Sequence, residues 1–203
     1  KADAQAKASS GPAQAARNNQ DALYLQNQLL GAQIGNLKAQ DPKARELYAL
    51  FVAGDGTQEV FRREVEWIAD SFAQRYDTAG RAIVLANSRS SVQRLPLATE
   101  TSIERALAGL AQRMDKDQDL LFVYLTSHGS RDHQLQIDMP GMVLPQLPAK
   151  RLGELLKASG IRHQVVVVSA CYAGGFIAPL ASPTTWVLTA ARADRTSFGC
   201  ADE

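Results

Sequence analysis

At 203 residues the chain is long enough for one large domain, whose core can cover roughly 70% of the unfolded surface, and too short for two full ones. Hydrophobic residues make up 45%, charged residues 21%, and the net charge is +1, which excludes the electrostatic footprint of a nucleic-acid or anionic-membrane binder. No apolar run approaches the roughly 20 residues of a membrane helix, and two cysteines, Cys171 and Cys200, are too few for a disulfide scaffold.

The chain opens on Lys1 rather than methionine, which reads as a fragment whose targeting segment would lie outside it. The compartment stays open among periplasmic, secreted and tethered. Residues 1–20, rich in Ala, Gln, Ser and Asn, read as a tail or linker because they offer almost nothing apolar to repay ordering. An amphipathic helix is expected over 21–41, a pro-segment or packing helix with Leu23, Leu30, Ile34 and Leu37 on one face, closing before Asp41-Pro42.

From Leu47 the chain alternates short apolar runs with amphipathic stretches, the pattern of βα units and a mostly parallel sheet with helices over it. Strands are expected at Leu47–Ala53, Ala82–Ala86, Leu120–Thr126, 165–169 and 186–189, as continuous apolar runs buried on both faces. Between them, Phe61, Val65, Ile68, Phe72 and Tyr76 share one helical face, Ile103, Leu107, Leu110 and Met114 a second, and Leu152, Leu155 and Leu156 mark a third. Right-handed crossovers follow from that alternation. The alternating Gln134-Leu135-Gln136-Ile137, followed by Pro140-Gly141, predicts a small surface hairpin.

Two of these strands end in chemistry. The third stops at Thr126-Ser127-His128-Gly129, and the fourth exits through Ser169-Ala170-Cys171-Tyr172-Ala173-Gly174-Gly175. Ligands of open α/β sheets bind outside the carboxyl ends of strands. If the two strands are neighbours, about 4.8 Å apart, both tips can flank one substrate group. Cys171 then serves as nucleophile and His128 as its acid–base partner. The glycines after Cys171 leave it in a turn that can open a helix, whose free N–H groups would favour the thiolate. Gly129, lacking Cβ, lets its N–H approach a substrate oxygen and, with the N–H of Cys171, form an oxyanion hole. Singly, a cysteine after a buried strand is usually an inert core thiol and a histidine a loop residue. Their pairing on one sheet edge is what argues for a site.

Three other readings fit less well. The run Ala170-Cys171-Tyr172-Ala173-Gly174 resembles a nucleophile elbow, but those enzymes place the histidine after the nucleophile, and His128, His133 and His163 all precede it. His128, His133, Cys171 and Cys200 show none of the paired spacings of a zinc site, so no metal or other cofactor is expected. Gly54-Asp55-Gly56 lacks the third glycine of a dinucleotide turn.

Thr126-Ser127-His128-Gly129 and Ser169-Ala170-Cys171, each after a hydrophobic strand, resemble the two catalytic blocks of the legumain family of asparaginyl endopeptidases. Caspases, gingipains and metacaspases share the plan. The similarity takes in Phe51-Val52-Ala53-Gly54 with Phe61-Arg62-Arg63, and Leu188-Thr189-Ala190-Ala191 with Thr196, Ser197 and Cys200, so it runs from about Leu47 to Glu203. It implies a caspase-like three-layer α/β sandwich over 42–203, a mostly parallel sheet flanked by helices on both faces, lacking its carboxyl-terminal part.

The resemblance also implies a thiol protease in which histidine and cysteine approach the scissile bond from opposite sides. Arg62 corresponds to the pocket arginine for the residue before the cleaved bond, Arg63 to a histidine beside it, and Thr196 and Ser197 to hydroxyls lining the same pocket. Such a pocket favours Asn or Asp. Ser169 stands where the family has a balancing acid, which would leave the pocket more positive and open to aspartate. The expected partners are a peptide or protein substrate and the protein's own carboxyl-terminal segment, with no nucleic acid and no membrane within this chain. Because relatives mature by self-cleavage, Asp202-Glu203 is expected to mark a processing point. Two alternatives share the fold: a peptide transferase using the same acyl-enzyme, and a catalytically silent interaction module.

Overall fold

A computed structural model describes residues 12–197, with side chains from residue 20 onward. Helix α1 spans Pro12–Gly35, so it begins inside the stretch expected to be a tail and stops short of Asp41. The Ala- and Gln-rich sequence explains the earlier start, since both residues are good helix formers and Pro is suited to a first helical position. Of the expected stripe, Leu30, Ile34 and Leu37 meet the core and Leu23 does not. Leu23 is 62% exposed, whereas Ala22 and Leu30 are buried and Ile34 packs so closely on Gly109 that a Cβ there would sit 2.8 Å from it.

Strand β1 (Leu47–Ala53) is buried almost throughout, and α2 (Glu59–Arg75) follows it and leads to β2 (Ala82–Ala86). Thr99 caps α3 (Glu100–Arg113) by accepting the Ser102 N–H, and β3 (Leu120–Thr126) comes next. The short strands β4 (Gln134–Leu135) and β5 (Leu147–Pro148) pair antiparallel, and α4 (Ala149–Ser159) ends at Gly160, whose φ of 71° is the left-handed helix stop that glycine allows. Strand β6 (His163–Ser169), a 3₁₀ turn at Ala173–Phe176, the short α5 (Ile177–Leu180) and β7 (Thr185–Thr189) complete the described chain.

The five long strands form one parallel sheet in the order β2-β1-β3-β6-β7. The order reverses between β1 and β3, and the carboxyl edge beside such a reversal is where α/β sheets open a crevice. One face carries α1, α3 and α4 over Leu50, Val52, Val123, Leu125, Val166 and Val168. Among the described residues the other carries α2 alone, with Phe61, Val65 and Phe72 packed on Phe51 and Phe122. This is the three-layer α/β arrangement expected from the sequence, and it is consistent with a caspase-like fold.

Burial on both faces holds for β1 but not for the strands after it. β6 alternates buried and half-buried residues, and on β7 Trp186 is 74% and Leu188 50% exposed. Their apolar runs reflect one covered face and one that α2, centred over β1 and β2, does not reach. The expected surface hairpin also differs. Leu135, Ile137, Met139 and Leu147 are all buried, so the hairpin is a plug under the loops rather than a flap on them.

The edge strand β2 does not present a free ladder along α1. The Gln33 amide of α1 accepts from the Val84 N–H at 2.8 Å and donates to its C=O at 3.0 Å, imitating a neighbouring strand. Replacing Gln33 by alanine leaves both groups without that partner, and a loss of about 1–2 kcal/mol of stability is expected in urea unfolding. Unchanged stability would mean that water replaces the amide without cost.

Candidate active site

The two tips are joined by the same register that builds the sheet. Thr126 pairs with Ser169, and the Ser127 N–H donates to the Ser169 carbonyl at 3.2 Å, so His128 and Cys171 emerge side by side from neighbouring parallel strands. Beyond them the chain does not splay. A Cβ on Gly129 would lie 2.1 Å from the Cys171 carbonyl oxygen, an approach of backbone to backbone that only glycine permits. Among the described residues neither the Gly129 nor the Cys171 amide donates a backbone hydrogen bond, which leaves both for a ligand. The imidazole and the thiol, both half-buried, make no hydrogen bond to each other.

His128 is held from below. Its carbonyl accepts the Gln136 N–H at 2.9 Å, and Gln136 in turn donates through its side chain to Asp55 at 2.7 Å. Asp55 is fully buried and also accepts the Thr57 N–H at 2.7 Å, while the Ser127 hydroxyl donates to the Gln136 carbonyl at 2.6 Å. The hairpin segment thus locks the turn after β3 to the turn after β1. The imidazole meets the edge of Phe61 at the start of α2, ring centres 5.1 Å apart at 82°.

Cys171 is held from above. Tyr172 adopts φ 55°, a left-handed conformation that costs a non-glycine residue about 1 kcal/mol or more and is kept by its surroundings. Its N–H donates to the Arg195 carbonyl at 2.8 Å, its hydroxyl accepts from Arg131 at 3.2 Å, and the Arg131 guanidinium also stacks 5.8 Å from its ring centre. The turn that follows packs on other loops at two glycines: a Cβ at Gly174 would meet the Ala193 nitrogen at 2.4 Å, and one at Gly175 the His133 ring at 2.1 Å. The helix expected to open after the cysteine is only a 3₁₀ turn followed by the four-residue α5, which offers little dipole. The sulfur instead receives the Ser197 N–H at 3.3 Å and lies 3.6 Å from its hydroxyl. An open groove lined by Gly174, Ile177, Thr189, Ala191 and Asp194 runs beside this turn.

The pocket candidates divide. Ser169 lies at the tip of β6 as the register partner of Thr126, on the face that α2 shares. Ser197 sits against the sulfur rather than away from it. Thr196 is exposed, and Arg63 is exposed on α2. Arg62 is turned to the other flank of α2. Its Nε donates to Glu59 at 2.6 Å and its Nη1 to Glu66, while Glu59 also takes the Ser88 hydroxyl at 2.6 Å and Glu66 pairs with Arg94. Burial opposes charge on Glu59 and Arg62 alike, but these bonds outweigh it, holding the Glu59 carboxyl below and the Arg62 guanidinium above their ordinary values. The structure does not bring Arg62 to Ser169. Cys200, Asp202 and Glu203 lie outside the described residues.

A residue not singled out in the sequence sits there instead. Glu64 of α2 accepts the Tyr124 hydroxyl on one oxygen and the Thr126 hydroxyl on the other, both at 2.7 Å. The available signal was the spacing: Glu64 lies three residues past Phe61 on α2, and Phe122, Tyr124 and Thr126 turn polar toward the tip of β3 on the face that Ser169 shares.

A half-buried thiol and an imidazole at adjacent parallel tips, with two amides unspent beside them, bring together the groups that cysteine-peptidase chemistry uses. Residues 104–203 match the model of the Peptidase C13 family. That stretch holds both His128 and Cys171, and through it the chain is similar to the legumain-like cysteine peptidases. The match starts within α3, leaving β1, α2 and β2 outside it. No curated protein matches the chain. Among the described residues no helix is long and apolar enough to cross a membrane.

Proposed function

We propose that the chain is an endopeptidase that cleaves after Asn or Asp through an acyl-enzyme on Cys171, with His128 as general acid and base. The observation that supports this is the close approach of Gly129 to the Cys171 carbonyl, which holds the two strand tips against each other beside amides that donate to no backbone acceptor among the described residues. The Cys171 sulfur attacks the scissile carbonyl as its proton passes to His128. The Gly129 and Cys171 N–H groups hold the oxyanion. His128 returns the proton to the leaving amine as the C–N bond breaks, and then takes one from the water that releases the acid. Substrates are peptides or proteins, the protein's own carboxyl-terminal segment included. An amine in place of that water gives peptide transfer on the same intermediate.

An electrophilic peptide probe ending in Asn or Asp tests this. Intact-mass measurement is expected to show one adduct per chain, absent in Cys171→Ala, and any self-cleavage product is expected to disappear in the same variant. A probe that labels neither protein would favour the silent interaction module.

A further inference from the structure

His133 breaks two local rules at one position. Residues 130–134 turn the chain from the His128 tip back into the hairpin segment: Gly129 is bridged antiparallel to Leu135, and the His133 N–H donates to the Ser130 carbonyl at 3.0 Å. His133 ends this loop at φ 59°, the left-handed position that hairpins of this kind usually give to glycine. Its Nδ1 is buried and bonds nothing among the described residues. Strained backbone and an orphaned buried nitrogen both cost stability, and a residue that carries the two together points to a use for its side chain.

That use is visible across the loop contact. A Cβ on Gly175 would stand 2.1 Å from Cγ and Nδ1 of His133 and 2.5 Å from Cδ2, nearly equidistant from three ring atoms, so the face of the imidazole covers Gly175. Gly175 is tied into the cysteine's turn by its N–H, which donates to the Tyr172 carbonyl at 3.1 Å. The His133 carbonyl in turn accepts the Ala149 N–H at 3.0 Å, so the first turn of α4 anchors the loop. A ring plate and a positive φ are needed at the same residue, and among ring-bearing side chains histidine is the one enriched at positive φ. The orphaned nitrogen follows from that compromise.

We propose that His133 is a positioning residue for the nucleophile. Its ring face pins the turn at 172–175, and through it the thiol and N–H of Cys171, against the loop that carries His128. It acts by shape and moves no proton. The catalytic benefit rests on the acyl-enzyme reading of the site.

Two substitutions separate positioning from packing. His133→Asn suits the positive φ but removes the ring, whereas His133→Phe keeps a ring over Gly175 at a backbone position less suited to it. Thermal unfolding is therefore expected to rank His133→Asn above His133→Phe, and turnover of an Asn or Asp peptide to rank them the other way. In His133→Asn kcat is expected to fall roughly 10–100-fold with KM within about threefold, and in His133→Phe to return to within about fivefold of the parent. Turnover that follows stability, an unchanged kcat in His133→Asn, or a loss carried by KM would overturn the proposal. Hydrogen exchange of the amides at 170–176 needs no substrate, and it is expected to quicken at least about tenfold in His133→Asn while β1 keeps its protection. Unchanged exchange there would overturn the proposal even if His133→Phe failed to fold. Faster exchange, with no cleavage by the unsubstituted protein, would keep the clamp and count against the proposed reaction alone.

Discussion

Alanine at Gly129 is expected to lower kcat/KM on an Asn or Asp peptide by at least about 100-fold. The new methyl group would start 2.1 Å from the Cys171 carbonyl oxygen and 3.1 Å from its carbon, and backbone on both sides cannot swing away as a long side chain could. The tips of β3 and β6 must part or twist, and both amides proposed to hold the oxyanion belong to the residues displaced. Overpacking of this kind also costs about 1–3 kcal/mol of stability. Steady-state kinetics paired with thermal unfolding reads both effects. Activity within threefold of the parent protein would place the oxyanion site elsewhere.

Removing the imidazole separates the two halves of the proposed chemistry. His128→Ala is expected to reduce turnover of a peptide amide by roughly 10²–10⁴-fold, the range for a positioned acid–base group. Amide and ester substrates should not suffer alike, because an alcohol with a good leaving group departs without the proton that an amine requires. The loss on an activated ester of the same peptide is therefore expected to be at least about tenfold smaller. Equal losses on the two would show that His128 holds the loop and moves no proton. The contact of its ring with Phe61 makes that structural role a real competitor, and the ester comparison distinguishes the two.

The strands and the pairing of His128 with Cys171 were legible because both rest on local signals. A run such as Leu121-Phe122-Val123-Tyr124-Leu125 declares a buried strand, and the residues at its exit follow from where the run ends. The register then places the two residues together with no further information. What was not legible depends on which way a helix faces. Arg62 and Glu64 are two residues apart on α2, hence about 200° around its axis, so bringing one to the cleft turns the other away. The place of Arg62 in the motif carries no information about that rotation, which the sheet-facing positions Phe61 and Val65 decide. Leu23 misled for a similar reason. Beside the buried Ala22 and Leu30, the inner face of α1 takes in half-buried Gln26 and Gln33, polar residues whose side chains bond the Leu97 and Val84 backbone and which apolar spacing does not mark.

The sealing of Val84 by Gln33 gives the sheet a direction of growth. On the β2 side a newcomer's backbone would have to displace a helix before it could dock. On the opposite side, Thr185–Thr189 has no further strand beside it among the described residues, and Trp186 and Leu188 stand uncovered on its face. Any additional strand, from whatever source, can therefore extend the sheet only at the margin that also carries the cysteine's turn, so lengthening the sheet and shaping the peptide cleft would be one event.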